Sequence, residues 1–223
     1  MDKGQSGFSL IELLAVVSVI MILSGIMLFY ANNHTKLYKV DDESLQIVDV
    51  FQEARQRALA QREVMRVEIN TNTNMVTLYS ENGPTVATDD VVIKRFILAP
   101  TTQVKFTTRP AQITVNPPEP MPVPTAVFKT SVYPATAGNS VCTIRFKSDG
   151  SAMDGGTNPT ATDAVQTGVS LFVWSPKTGS TTESDQARAL TVLGATGAIR
   201  MWEWDVRMTG ANKWKDSRKS VAY

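Results

Sequence analysis

A run of 19 residues without a charge, from Leu13 to Ala31, constrains this chain more than any other feature of its sequence. In a helix, at about 1.5 Å per residue, such a run covers roughly 30 Å, the thickness of the hydrocarbon core of a bilayer. Ser18 and Ser24 can hydrogen-bond back to carbonyls of their own helix, and Gly25 is tolerated in membrane helices. The run therefore predicts a membrane-spanning helix.

The flanking residues indicate that this helix is retained in the mature protein. The segment before it, MDKGQSG, is short and polar. A secretory signal peptide would show small residues and a cleavage site after its apolar core. Here YANNHTKLYK follows instead, and the helical pattern continues.

Glu12 does not fit an ordinary membrane anchor, because it stands at the start of the apolar run, directly after Phe8, Ser9, Leu10 and Ile11. A carboxylate that enters hydrocarbon is costly unless it is paired, so it marks a functional position by default. The alternative interpretation is a carboxylate that lies among the lipid headgroups and is merely hydrated.

The segment GFSLIELL, from Gly7 to Leu14, resembles the cleavage signature of type IV pilins and type II secretion pseudopilins. In that family a membrane-embedded aspartyl peptidase cuts after the glycine and methylates the new amino terminus. The resemblance implies a leader of residues 1–7, a cut between Gly7 and Phe8, and N-methylation of Phe8. It also implies that Glu12 pairs with the Phe8 amine of a neighbouring subunit, which would offset two desolvation penalties and set the axial register.

The second half of the helix is predicted to be amphipathic, over residues 32–62, after a transmembrane and filament-core half over residues 8–31. Apolar residues recur at helical spacing in one stripe, namely Ile47, Val50, Phe51, Ala54 and Ala58. No proline occurs between Met1 and Asn82, so one helix is predicted from about Phe8 to about Gln61.

After Glu63 the hydrophobic period changes to two, which indicates strands. Val64–Ile69 and Met75–Tyr79 predict a hairpin. Further strands are predicted at Val91–Leu98, Gln103–Thr107, Ala111–Val115, Val141–Phe146, Ser170–Trp174, Arg188–Leu193 and Ala198–Trp202. The predicted fold class is therefore α+β: a long N-terminal helix packed on an antiparallel β-sheet domain of residues 63–223, the fold that the pilin resemblance also implies.

Five prolines between Asn116 and Pro124 predict an extended, exposed loop, with a proline-rich partner motif as the alternative. The later strand order is similar to that of the minor pilins often called GspH/FimT-like. That second resemblance depends on Phe146, on the turn Asp149–Gly150 and on the stretch Gly197–Arg200.

Composition excludes several kinds of chemistry. With 22 basic and 21 acidic residues, the chain has no global attraction to nucleic acid or anionic lipid. Cys142 and His34 are the only cysteine and histidine, which leaves no intrachain disulfide, no thiolate cluster and no two-histidine metal site. The acidic groups Asp89–Asp90 and Asp41–Glu43 are predicted to lie in an exposed turn and on a solvated helix face. We expect no catalytic residue, metal or cofactor.

The C-terminal region combines basic residues with Trp202, Trp204 and Trp214. Basic groups beside aromatic rings can bind single strands or phosphates. Candidate contacts are Arg200, Arg207, Lys213 and Lys215. Some FimT-like pilins are thought to bind DNA through a motif Gly-Arg-x-Arg, but here Gly197-Ala198-Ile199-Arg200 lacks its first arginine.

Two hypotheses follow. The first is a structural minor pilin or pseudopilin of a type IV pilus or type II secretion pseudopilus, with other such subunits, the prepilin peptidase and the inner membrane as partners. It would be a single-pass inner-membrane protein with a periplasmic C-terminal domain, and part of a filament after assembly. The alternative is a DNA-binding minor pilin of a competence pilus. A plain membrane-anchored domain does not explain Gly7 and Glu12.

Overall fold

The first element among the described residues is a single long helix. The structure is a computed structural model that describes residues 9–82 and 88–217, without the side chains of residues 28–37 and 185. Helix α1 spans Leu10–Gln61, in agreement with the predicted end at Gln61. The chain divides into two compact units, Met1–Tyr38 and Lys39–Tyr223, and the second unit contains all of the strands.

Within the second unit, one face of α1 is buried in the domain core. The predicted stripe is confirmed, because all five of its residues are at most 2% exposed: Ile47, Val50, Phe51, Ala54 and Ala58. Val40 extends the stripe by two turns toward the N-terminus. The helical period of the sequence thus determines which face of α1 the sheets cover.

The first sheet packs against this stripe. Its strands are β1 (Val64–Asn70), β2 (Met75–Glu81), β3 (Val91–Ile97), β4 (Lys129–Thr130), β5 (Ser140–Phe146) and β6 (Ala152–Met153). They lie in the order β3-β2-β1-β5-β4, and β6 also pairs with β5. Every pairing is antiparallel, and the predicted hairpin is β1–β2, with Asn70 opposite Met75.

The second sheet is a four-stranded meander. Its strands are β7 (Val169–Pro176), β8 (Ser184–Val192), β9 (Ile199–Trp204) and β10 (Trp214–Asp216), in the order β10-β9-β8-β7. Leu171, Val173, Leu190 and Val192 join the core beneath α1 and the first sheet. A second cluster on Phe172, Trp174, Trp202 and Trp214 lies under Ile113 and Val115. The predicted α+β class, a long helix followed by antiparallel sheets, is confirmed.

Two predicted strands are wrong. Residues 103–107 form only one isolated bridge, between Lys105 and Trp174, and residues 111–115 form no strand. The apolar residues in both segments are nevertheless buried, with Val104, Phe106 and Ile113 at most 2% exposed. The alternation of these apolar residues indicates which side chains enter the core, but the backbone of both segments forms turns and does not form a β-ladder.

Candidate functional site

The N-terminal candidate site lies at the first turn of α1. The amides of Glu12 and Leu13 donate to the Ser9 carbonyl, at 3.0 and 3.1 Å, which begins the helix. Glu12 is the acidic residue of this first turn and its side chain is exposed. A carboxylate here also faces the positive end of the helix dipole, which stabilises it.

The residues after Glu12 form an apolar surface. The segment Leu10–Met27 has a mean hydropathy of 2.5, and none of it is buried. It is the one helix among the described residues that is long and apolar enough to cross a membrane, by length and composition. The Ser18 hydroxyl donates to the Leu14 carbonyl at 2.8 Å, which confirms the predicted bond back to the helix.

The predicted cleavage site is Gly7–Phe8, and both residues lie outside the described residues. The prediction that Phe8 is methylated and contacts Glu12 of a neighbour therefore stays a prediction.

The C-terminal candidate residues are engaged within the domain. Arg200 on β9 forms an ion pair with Glu119 at 2.8 Å. Arg207 pairs with Asp205 at 3.0 Å, and the Lys213 ammonium donates to the Val206 carbonyl at 3.2 Å.

The remaining members of this region are also part of the second sheet. Lys215 lies on β10 opposite Glu203 of β9. Trp202 and Trp214 are buried in the second core cluster, so their rings do not form a stacking surface for bases. Arg200 and Arg207 thus form ion pairs within the domain, and Trp202 and Trp214 are packing residues.

The prediction that the proline-rich loop is exposed is wrong at Glu119. Residues 116–124 contain no helix or strand, as predicted. The Glu119 side chain, however, is only 1% exposed, and its carboxylate accepts from the Arg200 guanidinium, the Trp202 indole and the Thr191 hydroxyl. The loop is therefore attached to the second sheet through a buried acceptor, which the run of prolines did not indicate.

The residues of the second resemblance meet at the C-terminal half of α1. Gly150 and Gly197 both have positive φ, of 81° and 58°. A Cβ on Gly197 would lie 2.1 Å from the Gly150 carbonyl oxygen, so the two turns touch. Arg55 of α1 donates to the Thr196 carbonyl at 3.1 Å and joins this contact to the helix.

A buried charged cluster lies on the face of the first sheet that points away from α1. The Arg66 guanidinium contacts Glu68 and Glu81 at 3.0 Å and Asp90 at 2.7 Å. It also stacks against two rings, with centroid distances of 4.6 Å to Tyr79 and 3.7 Å to Tyr133. Arg145 pairs with Glu81 as a second cation.

Burial and neighbouring charges shift the pKa values of this cluster in opposite directions. Burial raises the pKa of the Glu68 carboxyl above its usual range, although the Arg66 guanidinium acts the other way. Burial would lower the pKa of Arg66, but its three carboxylates outweigh burial and raise it. The cluster therefore holds three acidic groups against two guanidinium groups.

Two predictions of exposed acidic side chains are wrong, because both side chains are buried against a partner. Asp90 does not lie in an exposed turn, since its side chain is 8% exposed in the pair with Arg66. Glu43 is not on a solvated face of α1, because its carboxylate accepts the Ala99 amide at 2.7 Å and is buried. Desolvation raises the pKa of both carboxyls.

The described residues contain no group of three or more His, Cys, Asp or Glu side chains arranged to hold a metal ion. Cys142 is buried, and burial raises the pKa of its thiol to about 12. Since the thiolate is the reactive form, this cysteine is a packing residue in the folded domain.

Comparison with known proteins identifies the N-terminal motif. Residues 2–28 match the family described as the prokaryotic N-terminal methylation motif. The chain is also similar to the minor pseudopilin EpsH from the Type 2 Secretion System of Vibrio cholerae, with 12% identity and a TM-score of 0.41. That similarity covers 73% of this chain and 95% of EpsH. No curated protein matches the chain.

The family match covers the residues on which the first resemblance depends, Gly7 to Leu14. The resemblance of the N-terminus to type IV prepilins is therefore confirmed: the chain carries a prepilin-type methylation motif followed by an apolar helix.

Proposed function

We propose that this chain is a structural subunit, a minor pilin or pseudopilin of a type IV pilus or a type II secretion pseudopilus, and not an enzyme. The observation that carries the proposal is the methylation motif at residues 2–28, which leads directly into the exposed apolar segment Leu10–Met27. A subunit of this class is cut between Gly7 and Phe8, methylated on Phe8, and assembled through its apolar helix.

Glu12 supports this proposal over a plain membrane anchor. A simple anchor gains nothing from a carboxylate beside Leu10, Ile11 and Leu13, which are all more than 60% exposed and apolar. In a bundle of such helices the same carboxylate would be removed from water and would require a cation. The free amine of a neighbouring Phe8 supplies one, and it exists only after cleavage.

The division of α1 between the two units supports the same assignment. The exposed segment Leu10–Met27 is available for contacts with lipid or with other helices, whereas the stripe from Val40 to Ala58 is fully used by the domain. The subunit would therefore be held in the inner membrane by its first helix half, with the domain in the periplasm, and would enter a filament by moving that half between other subunits.

The alternative, a DNA-binding minor pilin, has weaker support. Its first candidate contact, Arg200, is paired with the buried Glu119, and two of the interleaved tryptophans are core residues. Binding of DNA phosphate would have to compete with an ion pair that is already formed.

The test is processing. The full chain is co-expressed with a prepilin peptidase, and its intact mass is measured. We expect the loss of Met1–Gly7 and the gain of one methyl group on Phe8. Gly7→Val should block the cut, while Gly4→Val, in the same leader, should leave it unchanged. A wild-type chain that keeps Met1–Gly7 would refute the assignment.

A further inference from the structure

Strand β3 forms one edge of the first sheet. It pairs with β2 on one side, and within the described part of the chain no other segment hydrogen-bonds to the backbone of its second side. Five of its seven residues are exposed, whereas all but the first residue of β1 and of β2 are buried. An open edge of this kind can pair with a further strand.

The backbone groups of Arg95 and Ile97 point away from β2. The Leu98 amide donates to the Asn74 carbonyl at 2.7 Å, so residue 98 faces β2. In an antiparallel ladder, alternate residues of a strand face the same side, and the register is regular over Lys94–Ile97. Arg95 and Ile97 therefore direct two N–H and two C=O groups outward, at positions about 7 Å apart.

A bulge limits the regular part of this edge. The register between β2 and β3 shifts between Leu78 and Tyr79, and such a bulge disrupts the ladder and increases the local twist. The regular part is thus the second half of β3, Lys94–Ile97, which is about 13 Å long. A strand that pairs with it needs only about four residues.

On the face of β3 toward α1, the charge of Lys94 is already paired. The Lys94 ammonium contacts the carboxylates of Asp49 and Glu53 on α1, at 3.2 and 3.1 Å. Phe96 points to the same face and packs against the domain core. This face therefore offers a partner an aromatic ring and no unpaired charge.

On the opposite face, Arg95 is exposed and forms no ion pair with any described carboxylate. Ile97, on the same face, is 72% exposed. Basic residues on an edge strand discourage pairing with most strands, but opposite charges on directly opposed residues stabilise a pair. An unpaired guanidinium beside an exposed apolar side chain therefore favours an acidic partner strand.

A second copy of β3 fits this edge less well. To use the outward groups of both residues, two antiparallel copies would place Arg95 opposite Ile97 of the other copy. The two arginines would then be diagonal neighbours on one face, about 8 Å apart, with no carboxylate between them. Their like charges repel each other, whereas an acidic segment pairs with the single Arg95.

We propose that the β3 edge binds a short, extended, acidic segment of a partner protein, which adds to β3 as an antiparallel strand. Main-chain hydrogen bonds to Arg95 and Ile97 provide affinity, and the side chains of the segment provide specificity. The matching segment has apolar residues opposite Ile97 and Phe96, followed by an acidic residue opposite Arg95. The proposal goes beyond the assembly function and does not depend on the N-terminal motif.

The probe is the peptide acetyl-Thr-Val-Val-Glu-Thr-amide, in which the first valine is opposite Ile97 and the glutamate is opposite Arg95. It is titrated into the ¹⁵N-labelled full chain in a mild detergent. We expect the amide resonances of Arg95 and Ile97 to shift and their hydrogen exchange to slow. The exchange of the Phe96 amide, which already faces β2, should stay unchanged.

Two N-methylated peptides test the hydrogen bonds directly. N-methylation of the glutamate removes an N–H that faces β3 and should weaken binding at least about fivefold, the loss expected for one hydrogen bond. N-methylation of the second valine is the matched control, because its N–H points away from β3. That peptide should bind within about twofold of the unmodified one.

A charge reversal tests the role of Arg95. Arg95→Glu should weaken binding of the peptide about fivefold, and the peptide with lysine in place of glutamate should bind this variant better than wild type. Lys177→Glu, a charge reversal at an exposed residue of the second sheet, should bind the original peptide within about twofold of wild type.

Equal binding of the two N-methylated peptides, or no shift of the Arg95 and Ile97 amides, would overturn the proposal. Shifts of these amides that depend on protein concentration in the absence of peptide would show that a second copy occupies the edge, which overturns it as well. Because the assay uses no peptidase and no filament, failure of the proposed subunit function would leave its result unchanged.

Discussion

The Glu119 carboxylate lies 2.8 Å from the Arg200 guanidinium, and this ion pair joins the proline-rich loop to the second sheet. Two further donors, the Trp202 indole and the Thr191 hydroxyl, converge on the same carboxylate. A buried acceptor with three donors is costly to remove, because each donor then loses its partner away from water. The loop is therefore part of the domain rather than an independent surface segment.

The first prediction follows from this contact. Glu119→Ala should lower the free energy of unfolding by about 1–3 kcal/mol, since Arg200 remains partly solvated while Trp202 and Thr191 lose a buried acceptor. Urea denaturation of the full chain in a mild detergent, followed by tryptophan fluorescence, measures this change. Glu183→Ala is the matched control, because Glu183 is exposed and its contact with Lys177 is 3.6 Å long, and its effect should stay within about 0.5 kcal/mol. Equal losses in the two variants would contradict the role of Glu119.

The second prediction separates close approach from backbone conformation. Gly197 and Gly179 both have positive φ, of 58° and 83°. An added Cβ at Gly179 meets open space, but at Gly197 it would lie 2.1 Å from the Gly150 carbonyl oxygen. Gly179→Ala should therefore cost only the conformational strain, about 1–2 kcal/mol, and Gly197→Ala should cost clearly more, because two turns must separate. The same urea denaturation measures both, and similar losses would show that the contact between the turns is unimportant.

The sequence predicts elements well where apolar residues repeat at one period. The stripe from Ile47 to Ala58 identifies α1 because these apolar side chains all enter the core. The alternation of Val64–Ile69 identifies β1 because its apolar side chains enter the core, although Arg66 and Glu68 between them are also buried, on the opposite face. The alternation around Phe106 and Ile113 fails because burial of alternate side chains does not require a ladder. Strand β10 is not predicted from the sequence, because Trp214–Asp216 lies in a basic stretch that is typical of a solvated C-terminal tail.

The candidate site shows the same limit. Gly7, Phe8 and Glu12 can be picked out as candidate residues from the sequence, because the motif that contains them is defined by local spacing alone. The partners of Arg200 and Arg66 depend on residues 81 and 15 positions away, such as Glu119 and Glu81, which no local pattern brings together. Charged residues that look solvated in the sequence, such as Arg66 and Arg200, are therefore the ones whose surroundings in the fold differ most from the prediction.

The third prediction concerns pH and the cluster around Arg66. The folded-state pKa of Glu68 lies above its unfolded value, so the folded protein keeps this proton to higher pH than the unfolded chain does. The corresponding stabilisation is fully present below the ordinary carboxyl pKa, about 4.3, and is lost as pH rises through the raised value. In Glu68→Gln the group is always neutral, so the variant should gain stability relative to wild type as pH rises from about 4.5 toward 8.

The measurement is the difference in unfolding free energy between Glu68→Gln and wild type across that pH range. Both proteins share all other titratable groups, so the pH-dependent contributions of those groups cancel in the difference. Glu53→Gln is the opposite control, because Lys94 and Arg57 outweigh desolvation and lower the pKa of Glu53. Its difference from wild type should change only in acid, as pH falls below the ordinary carboxyl pKa. A flat difference for Glu68→Gln between pH 5 and 8 would contradict the raised pKa.

The last prediction concerns Glu12, for which two interpretations give different results. If the carboxylate is only hydrated among lipid headgroups, Glu12→Gln should be nearly neutral, apart from a helix-dipole contribution of about 0.3–1 kcal/mol. If it pairs with the Phe8 amine of a neighbouring subunit, the same change leaves that ammonium unpaired among apolar helices. Breaking one side of a buried pair costs on the order of 3–5 kcal/mol, which exceeds the dipole contribution several times.

Processing and membrane insertion should survive this change, because the cut depends mainly on Gly7 and a neutral side chain enters lipid more easily than a carboxylate. We therefore expect a cleaved, membrane-resident subunit that enters filaments poorly. Incorporation of Glu12→Gln into sheared filaments is compared with wild type at matched amounts of mature protein. Glu183→Gln, the same chemical change on the exposed surface of the domain, should assemble as wild type does. Equal incorporation of Glu12→Gln and wild type would mean that Glu12 does not pair with the neighbouring amine, since an unpaired ammonium in the helix bundle would weaken assembly at every subunit contact.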